Sequence, residues 1–208
     1  MCSKVQPMNT ATTPATNDVR ATILANGQRI MAGKGYSAVG INEILTASAV
    51  PKGSFYHYFG SKDAFGEALL ENYFEDYLAE IDRTLREPGL SMAQRLMNYW
   101  TAWQDNQSFA DCQGKCLAVK LGAEVADLSD AMRRSLKRGT EGITSRLAQA
   151  IAAGVAEGSL AVQGQPEVIA QSLYQLWLGA SVMVKIQRST QPFATALATT
   201  RVILQPKN

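Results

Sequence analysis

Two groups of residues carry side chains with chemistry to offer. The first is the stretch PKGSFYHYFGSK, residues 51–62, which holds four aromatics, the only histidine of the chain and two lysines. Placed at the start of a helix, Lys52 can donate to guanine O6 and N7, and Ser54 can pair with several bases. Gly53 beside them lets a backbone approach a groove closely. Tyr56, His57 and Lys62 suit phosphate oxygens, which orient a protein on a duplex without reading its sequence. An aromatic core stripe accounts for Phe55 and Phe59, four residues apart, but not for Lys52, His57 and Lys62 together.

The second group is Cys112, Cys116, Lys120 and Lys185. Lys115 adjoins Cys116, and Lys120 follows it by one helical turn if the segment is helical. Cations lower a thiol pKa and raise the thiolate fraction that attacks electrophiles. The competing reading is that Cys116 is a small buried hydrophobe. Cys112 offers a resolving thiol for an oxidised Cys116, with a glycine between them that leaves the geometry open. Between Leu176 and Ile186 only Ser181 and Lys185 are polar. An unpaired ammonium in that apolar helix is costly, so Lys185 either faces a pocket or snorkels toward water. Trp100, Trp103 and Trp177 are further sensor or ligand candidates, ranked below Lys185 because large aromatics more often fill cores.

Helices must position all of these, because helical spacing dominates and no alternating strand stands out. Asn17 is expected to cap a first helix carrying Val19, Ile23, Leu24, Ile30 and Met31 on one face, ended by the GKG at 33–35. A short helix over 41–47 follows, then the turn SAV, then a third helix opened by Pro51. Ser61 is expected to cap a fourth helix that runs to Glu87, before Pro88-Gly89. Beyond residue 90, Ser91 caps a helix with Leu96, Tyr99, Trp100 and Trp103. Leu128, Met132, Leu136, Gly139, Ile143, Leu147 and Ile151 mark a long amphipathic helix ended by Gly158. The helix after Pro166 is apolar nearly all round, so a second subunit is expected to cover part of it.

The chain has 208 residues, is 46% hydrophobic and carries a net charge of +2. Its charge is unevenly spread. Residues 1–62 hold six Lys/Arg against two acids, a net of +4, while the rest hold fourteen against sixteen, a net of −2. A basic front on a faintly acidic body suits a polyanion-binding module joined to another unit. The polar start MCSKVQPMNTATTPAT reads as a disordered arm over 1–16 and not as a signal peptide. The longest apolar run, 176–184, is too short to span a bilayer, so the chain is expected to be cytoplasmic, without a membrane partner. Its three cysteines do not form a disulfide framework in such a compartment. No Gly-rich phosphate loop and no Cys/His cluster of metal spacing occurs, so no cofactor and no metal are expected.

The second and third helices with their four-residue connection form a helix–turn–helix candidate, whose second helix presents its first residues to base edges. The whole segment 35–65, GYSAVGINEILTASAVPKGSFYHYFGSKDAF, resembles the DNA-binding domain of the TetR family of transcriptional regulators. The resemblance implies an all-α fold: a three-helix DNA-binding domain over 17–62 and a helical ligand-binding and dimerisation domain over 63–208. It places Asn42 and Thr46 on the supporting helix, Lys52 and Ser54 at the base-reading end, and Tyr56, His57 and Lys62 at phosphates. Two positions depart from the family pattern. Gly40 stands where a threonine commonly caps helix two, and Ala49 where the turn usually has glycine. Residues 114–129 and 173–189 are similar to a TetR subgroup that includes the repressor of N-ethylmaleimide reductase and related electrophile sensors. That likeness puts Cys116 in the place of the responsive thiol.

The function these readings imply is a homodimeric repressor that binds double-stranded operator DNA. A small inducer releases it, through modification of Cys116 by electrophiles or oxidants. The rival is a cytoplasmic thiol enzyme, a reductase or peroxidase using Cys112 and Cys116. It lacks a histidine partner, because His57 sits in the DNA-contact stretch, and it leaves the basic front unexplained. A metal-binding protein is a weaker rival still.

Overall fold

A computed structural model describes residues 16–112 and 116–207; the expected disordered arm falls almost wholly outside them. Nine helices make up the described residues: α1 Thr16–Lys34, α2 Ile41–Ser48, α3 Lys52–Phe59, α4 Lys62–Leu85, α5 Met92–Cys112, α6 Leu117–Leu128, α7 Asp130–Ala156, α8 Pro166–Gln187 and α9 Gln191–Leu204. No strand occurs among them, and no helix is long and apolar enough to cross a membrane.

Local chemistry accounts for most helix ends. The Ser61 hydroxyl accepts the Ala64 N–H at 3.1 Å and so caps α4. Ser91 and Gln94 exchange bonds at the start of α5, the Ser91 hydroxyl accepting the Gln94 N–H while the Gln94 side chain accepts the Ser91 N–H. That reciprocal arrangement satisfies two orphan amides. Ser129 caps α7 through the Met132 N–H. Gly35 and Gly158, at φ +93° and +81°, lie just beyond the ends of α1 and α7. Three expectations shift. Helix α1 begins at Thr16, so Asn17 stands inside its first turn rather than at the cap. Helix α4 stops at Leu85, short of Glu87. Leu128 closes α6 and is exposed, so the buried stripe of α7 starts at Met132. The cause is Ser129, an N-cap that restarts the chain in a new helix direction.

The buried apolar side chains form one contiguous cluster from Ile23 to Leu204. Helices α1 and α3 lean on α4, with α2 packed against α1 and α3, and Phe55, Phe59 and Phe65 meet there with ring centroids 5.0–5.3 Å apart. Helix α4 also lies along α7, the most extensive helix pair of the molecule. A Cβ at Gly139 of α7 would stand 2.1–2.3 Å from three ring carbons of Phe74 of α4, so only glycine permits that approach. Arg146 then clamps the same pair, its Nε and Nη2 donating to the two carboxylate oxygens of Asp82 at 2.8 and 3.1 Å.

Candidate DNA interface and thiol site

Helix α2 starts without a side-chain cap, its N-cap being Gly40. It ends in a Schellman arrangement: the Ala49 N–H bonds to the Thr46 carbonyl at 3.3 Å and the Val50 N–H to the Leu45 carbonyl at 3.2 Å. Ala49 takes the left-handed conformation this requires, φ 53° and ψ 39°, at a cost that glycine would avoid. Pro51, extended at φ −69°, then admits the chain to α3. The inner face of α3 is Phe55 and Phe59, both buried. The outer face carries Lys52, Gly53, Tyr56 and His57 into solvent, with Ser54 half-buried. Lys52 Nζ lies 6.0 Å from the centre of the Tyr56 ring. Asn42 and Thr46 on α2 are also exposed, and the Thr46 hydroxyl donates to the Asn42 carbonyl at 2.9 Å. A side chain at Gly53 would meet nothing within 4 Å, so α3 presents an unobstructed first turn.

Lys62 differs from the rest of this group. Its ammonium donates to the Tyr36 carbonyl at 2.9 Å and sits 4.4 Å from the centre of the Tyr36 ring. The Tyr36 hydroxyl donates to Asp63 at 3.0 Å. Burial, then Asp63, pushes the Tyr36 phenol well above its ordinary range. On the other side of Tyr36, Glu124 of α6 accepts the Tyr36 N–H at 3.0 Å and the Ser37 N–H at 2.7 Å. Sequence inspection passed over Glu124, because 88 positions separate it from Tyr36 and no local pattern marks the pair.

In the larger half, Cys116 is the N-cap of α6, and its carbonyl accepts the Lys120 N–H. Its residue is only 6% exposed, and the Tyr73 hydroxyl of α4 lies 3.5 Å from the sulfur as donor. Burial pushes the thiol pKa up. The Tyr73 bond, the Val119 and Ala118 amides and the Lys185 charge pull it back only in part. Among the described residues desolvation outweighs the Lys185 charge, while Lys115, one of the two lysines expected to acidify the thiol, lies outside them. Lys185 is half-buried; burial first and Lys120 second lower its pKa, while Cys116 raises it. The structure thus brings Cys116, Lys120 and Lys185 within electrostatic reach of one another. The side chain of Cys112, like Cys2, Gly114 and Lys115, lies outside the described residues.

The tryptophans hold the junction of α5, α8 and α9. Trp103 donates to Ser181 at 3.0 Å and Trp177 to Thr200 at 2.9 Å, while Trp100 stacks on Trp177 at 5.0 Å. All three are buried in the core. Four tyrosines lie near the thiol: Tyr174, which the sequence reading ranks with the tryptophans as core before pocket, Tyr99, read only as part of a helix face, and Tyr73 and Tyr77, which no sequence pattern marks. Tyr77 and Tyr99 hydroxyls meet at 3.2 Å, and burial followed by neighbouring phenols and Cys116 drives these tyrosine pKa values up. No three metal-ligating side chains cluster among the described residues.

Comparison with known proteins settles the family. Residues 23–69 match the family of bacterial regulatory proteins, tetR family, and residues 92–200 match the tetracyclin repressor-like C-terminal domain. The chain belongs to the TetR family. Within this family it is 38% identical over 188 residues to the HTH-type transcriptional repressor NemR of Escherichia coli (strain K12), covering 90% of this chain and 94% of that one. It is 34% identical over 178 residues to the HTH-type transcriptional repressor DhaR of Mycobacterium sp. (strain GP1), covering 86% and 88%. The crystal structure of the reduced form of Escherichia coli NemR superposes with a TM-score of 0.87 at 39% identity, covering 91% of this chain and 98% of that one. In this TetR-family chain the helix–turn–helix is α2–α3, and the thiol belongs to the C-terminal half.

Proposed function

We propose that this chain is a transcriptional repressor that binds operator DNA as a homodimer and leaves it when a small electrophile modifies Cys116. One observation carries the DNA half: the aromatic face of α3 is locked onto Phe65 while Lys52, Gly53, Tyr56 and His57 are exposed to solvent. A helix held in this way can enter the major groove with its first turn against base edges. The division into a DNA-binding unit over 17–62 and a sensor and dimerisation unit over 63–208 follows this assignment of roles. The relatives are named as repressors, in keeping with a regulator and not an enzyme.

The dimer follows from α8 and α9. The inner face of α8 packs against α5, α7 and α9. Its outer face leaves Val182, Met183 and Ile186 in solvent, Ile186 at 68%, and Val202 of α9 is 73% exposed. An apolar face of this kind on two adjacent helices suits a twofold partner, which also spaces two recognition helices about one DNA turn apart.

The release step fits Cys116 as a shielded nucleophile. The nearby Lys185 charge favours the thiolate of Cys116 against its burial, and the thiol proton passes to solvent. The sulfur then adds to the double bond of a maleimide or quinone, one S–C bond forms, and the proton returns to the neighbouring carbon. Bulk added inside a packed domain makes it change arrangement rather than deform smoothly. The rival reading, a thiol enzyme, gains nothing from the geometry, since His57 is exposed on α3 and not beside Cys116. The test is a gel shift with DNA upstream of the protein's own gene, with and without N-ethylmaleimide or hypochlorite. Wild type binds and is released; Cys116→Ser binds and stays, whereas Cys2→Ser and Cys112→Ser respond as wild type. Release of Cys116→Ser would make a reversibly bound ligand the better account.

A further inference from the structure

We propose that Glu124, a residue of the sensor half, is a positioning residue for DNA recognition: its carboxylate holds the loop from which α2 departs and passes the arrangement of α6 to the recognition helix. The geometry is specific. Two successive amides, Tyr36 and Ser37, both donate to Glu124, one to each carboxylate oxygen. Charge-assisted bonds of this kind are the short and directional ones. The approach is close enough that a Cβ at Gly35 would stand 3.1 Å from Glu124 Oε2 and press on the carboxylate, and Gly35 has φ +93°, a backbone that favours glycine there.

The same loop is gripped from the opposite side by the first turn of α4. Lys62 donates to the Tyr36 carbonyl, and Tyr36 donates to Asp63. Tyr36 therefore carries three polar links to other helices, its amide to α6 and its carbonyl and hydroxyl to α4, and its carbonyl also accepts the Val39 N–H. It is followed within five residues by the start of α2. Glu124 and the thiol site lie on one short rigid element, because α6 begins at the residue after Cys116 and reaches Glu124 in about two turns. Burial works against the charge on Glu124, yet bonds from Ser37 and Tyr36 and the nearby Lys62 charge keep its carboxyl below the ordinary range. On this account Lys62 is part of the link between the halves and not a free phosphate contact.

The transmission clause rests on the proposed function of Cys116; the positioning clause does not. Full-length dimer is compared as wild type, Glu124→Ala and Glu124→Gln, with the operator fragment and with random duplex of equal length. Sedimentation and thermal melting accompany the binding curves. Glu124→Ala is expected to remain a folded dimer, to bind operator at least tenfold more weakly, and to bind random DNA within twofold of wild type. Glu124→Gln, which keeps one acceptor oxygen, is expected to fall between and serves if the alanine variant does not fold. After N-ethylmaleimide treatment, with one adduct at Cys116 verified by intact mass, the operator affinity of Glu124→Ala should change by less than twofold. Wild-type operator affinity in both variants would overturn the positioning role. A full wild-type response in a weakened Glu124→Ala would overturn transmission. If wild type itself takes up no adduct, or takes it up and stays on DNA, the Cys116 reading fails, while the operator-to-random ratio still judges Glu124.

Discussion

The exposed first turn of α3 makes sharp demands of single residues. Lys52→Ala is expected to cost about 1–3 kcal/mol on the operator and to relax base preference there. Equal loss on operator and random DNA, measured by anisotropy titration, would reassign it to a phosphate. Gly53 gives a cleaner probe, because nothing in the protein approaches the place of its missing side chain. Gly53→Ala should raise helix stability by roughly 0.5–1 kcal/mol and nevertheless weaken operator binding. Opposite signs in melting temperature and DNA affinity would trace the loss to the groove. At this scale the face of α3 proposed to read DNA stood out in the sequence, since small, cationic and aromatic residues adjoin within one helix. The thiol was half legible. Lys120 is near Cys116 in the chain and in space, but the dominant influence is burial, and the hydrogen-bond partner Tyr73 arrives from 43 positions away. Spacing along the chain reports neighbours and says nothing of what covers them.

Among the helices, two junctions invite measurement. The turn between α2 and α3 holds Ala49 in a left-handed conformation. Ala49→Gly removes a strain of order 1 kcal/mol and should raise thermal stability, less the entropy glycine adds to the unfolded chain. The α4–α7 seam carries Arg146, which holds the Asp82 carboxyl below its ordinary value, chiefly by hydrogen bonding. A carboxyl depressed on folding stabilises wherever it is ionised in the unfolded chain. The contribution of Asp82 is thus complete above about pH 4 and fades as pH falls through the lower folded value. Asp82→Asn should flatten the acid limb of a stability–pH curve and leave its slope near neutrality unchanged. The seam itself was only partly readable. The i, i+3, i+4 steps of α7 were visible, but the need for Gly139 arises from Phe74, which the periodicity of α7 cannot reveal.

For the molecule as a whole, the proposed dimer rests on the outer face of α8 and α9. Ile186→Glu or Met183→Glu places a charge on surface that is apolar and exposed in a single chain. It should yield monomer by sedimentation while leaving the helical content of each chain intact. A wild type that sediments as monomer at micromolar concentration would remove the dimer from the mechanism. The apolar excess of this helix was visible in the sequence, but which side faces inward was not, because a helix apolar nearly all round has no phase to read.

The buried cluster that runs unbroken from Ile23 to Leu204 bears on how portable the DNA-reading part is. A fragment ending at Lys62 would leave Phe55 and Phe59 without Phe65, and Tyr36 without Glu124. Recombining this helix–turn–helix with a foreign sensor therefore means carrying α4 and a matching α6 carboxylate along with it. A chimera joined at residue 62 inherits the letters of the recognition helix without the frame that aims it.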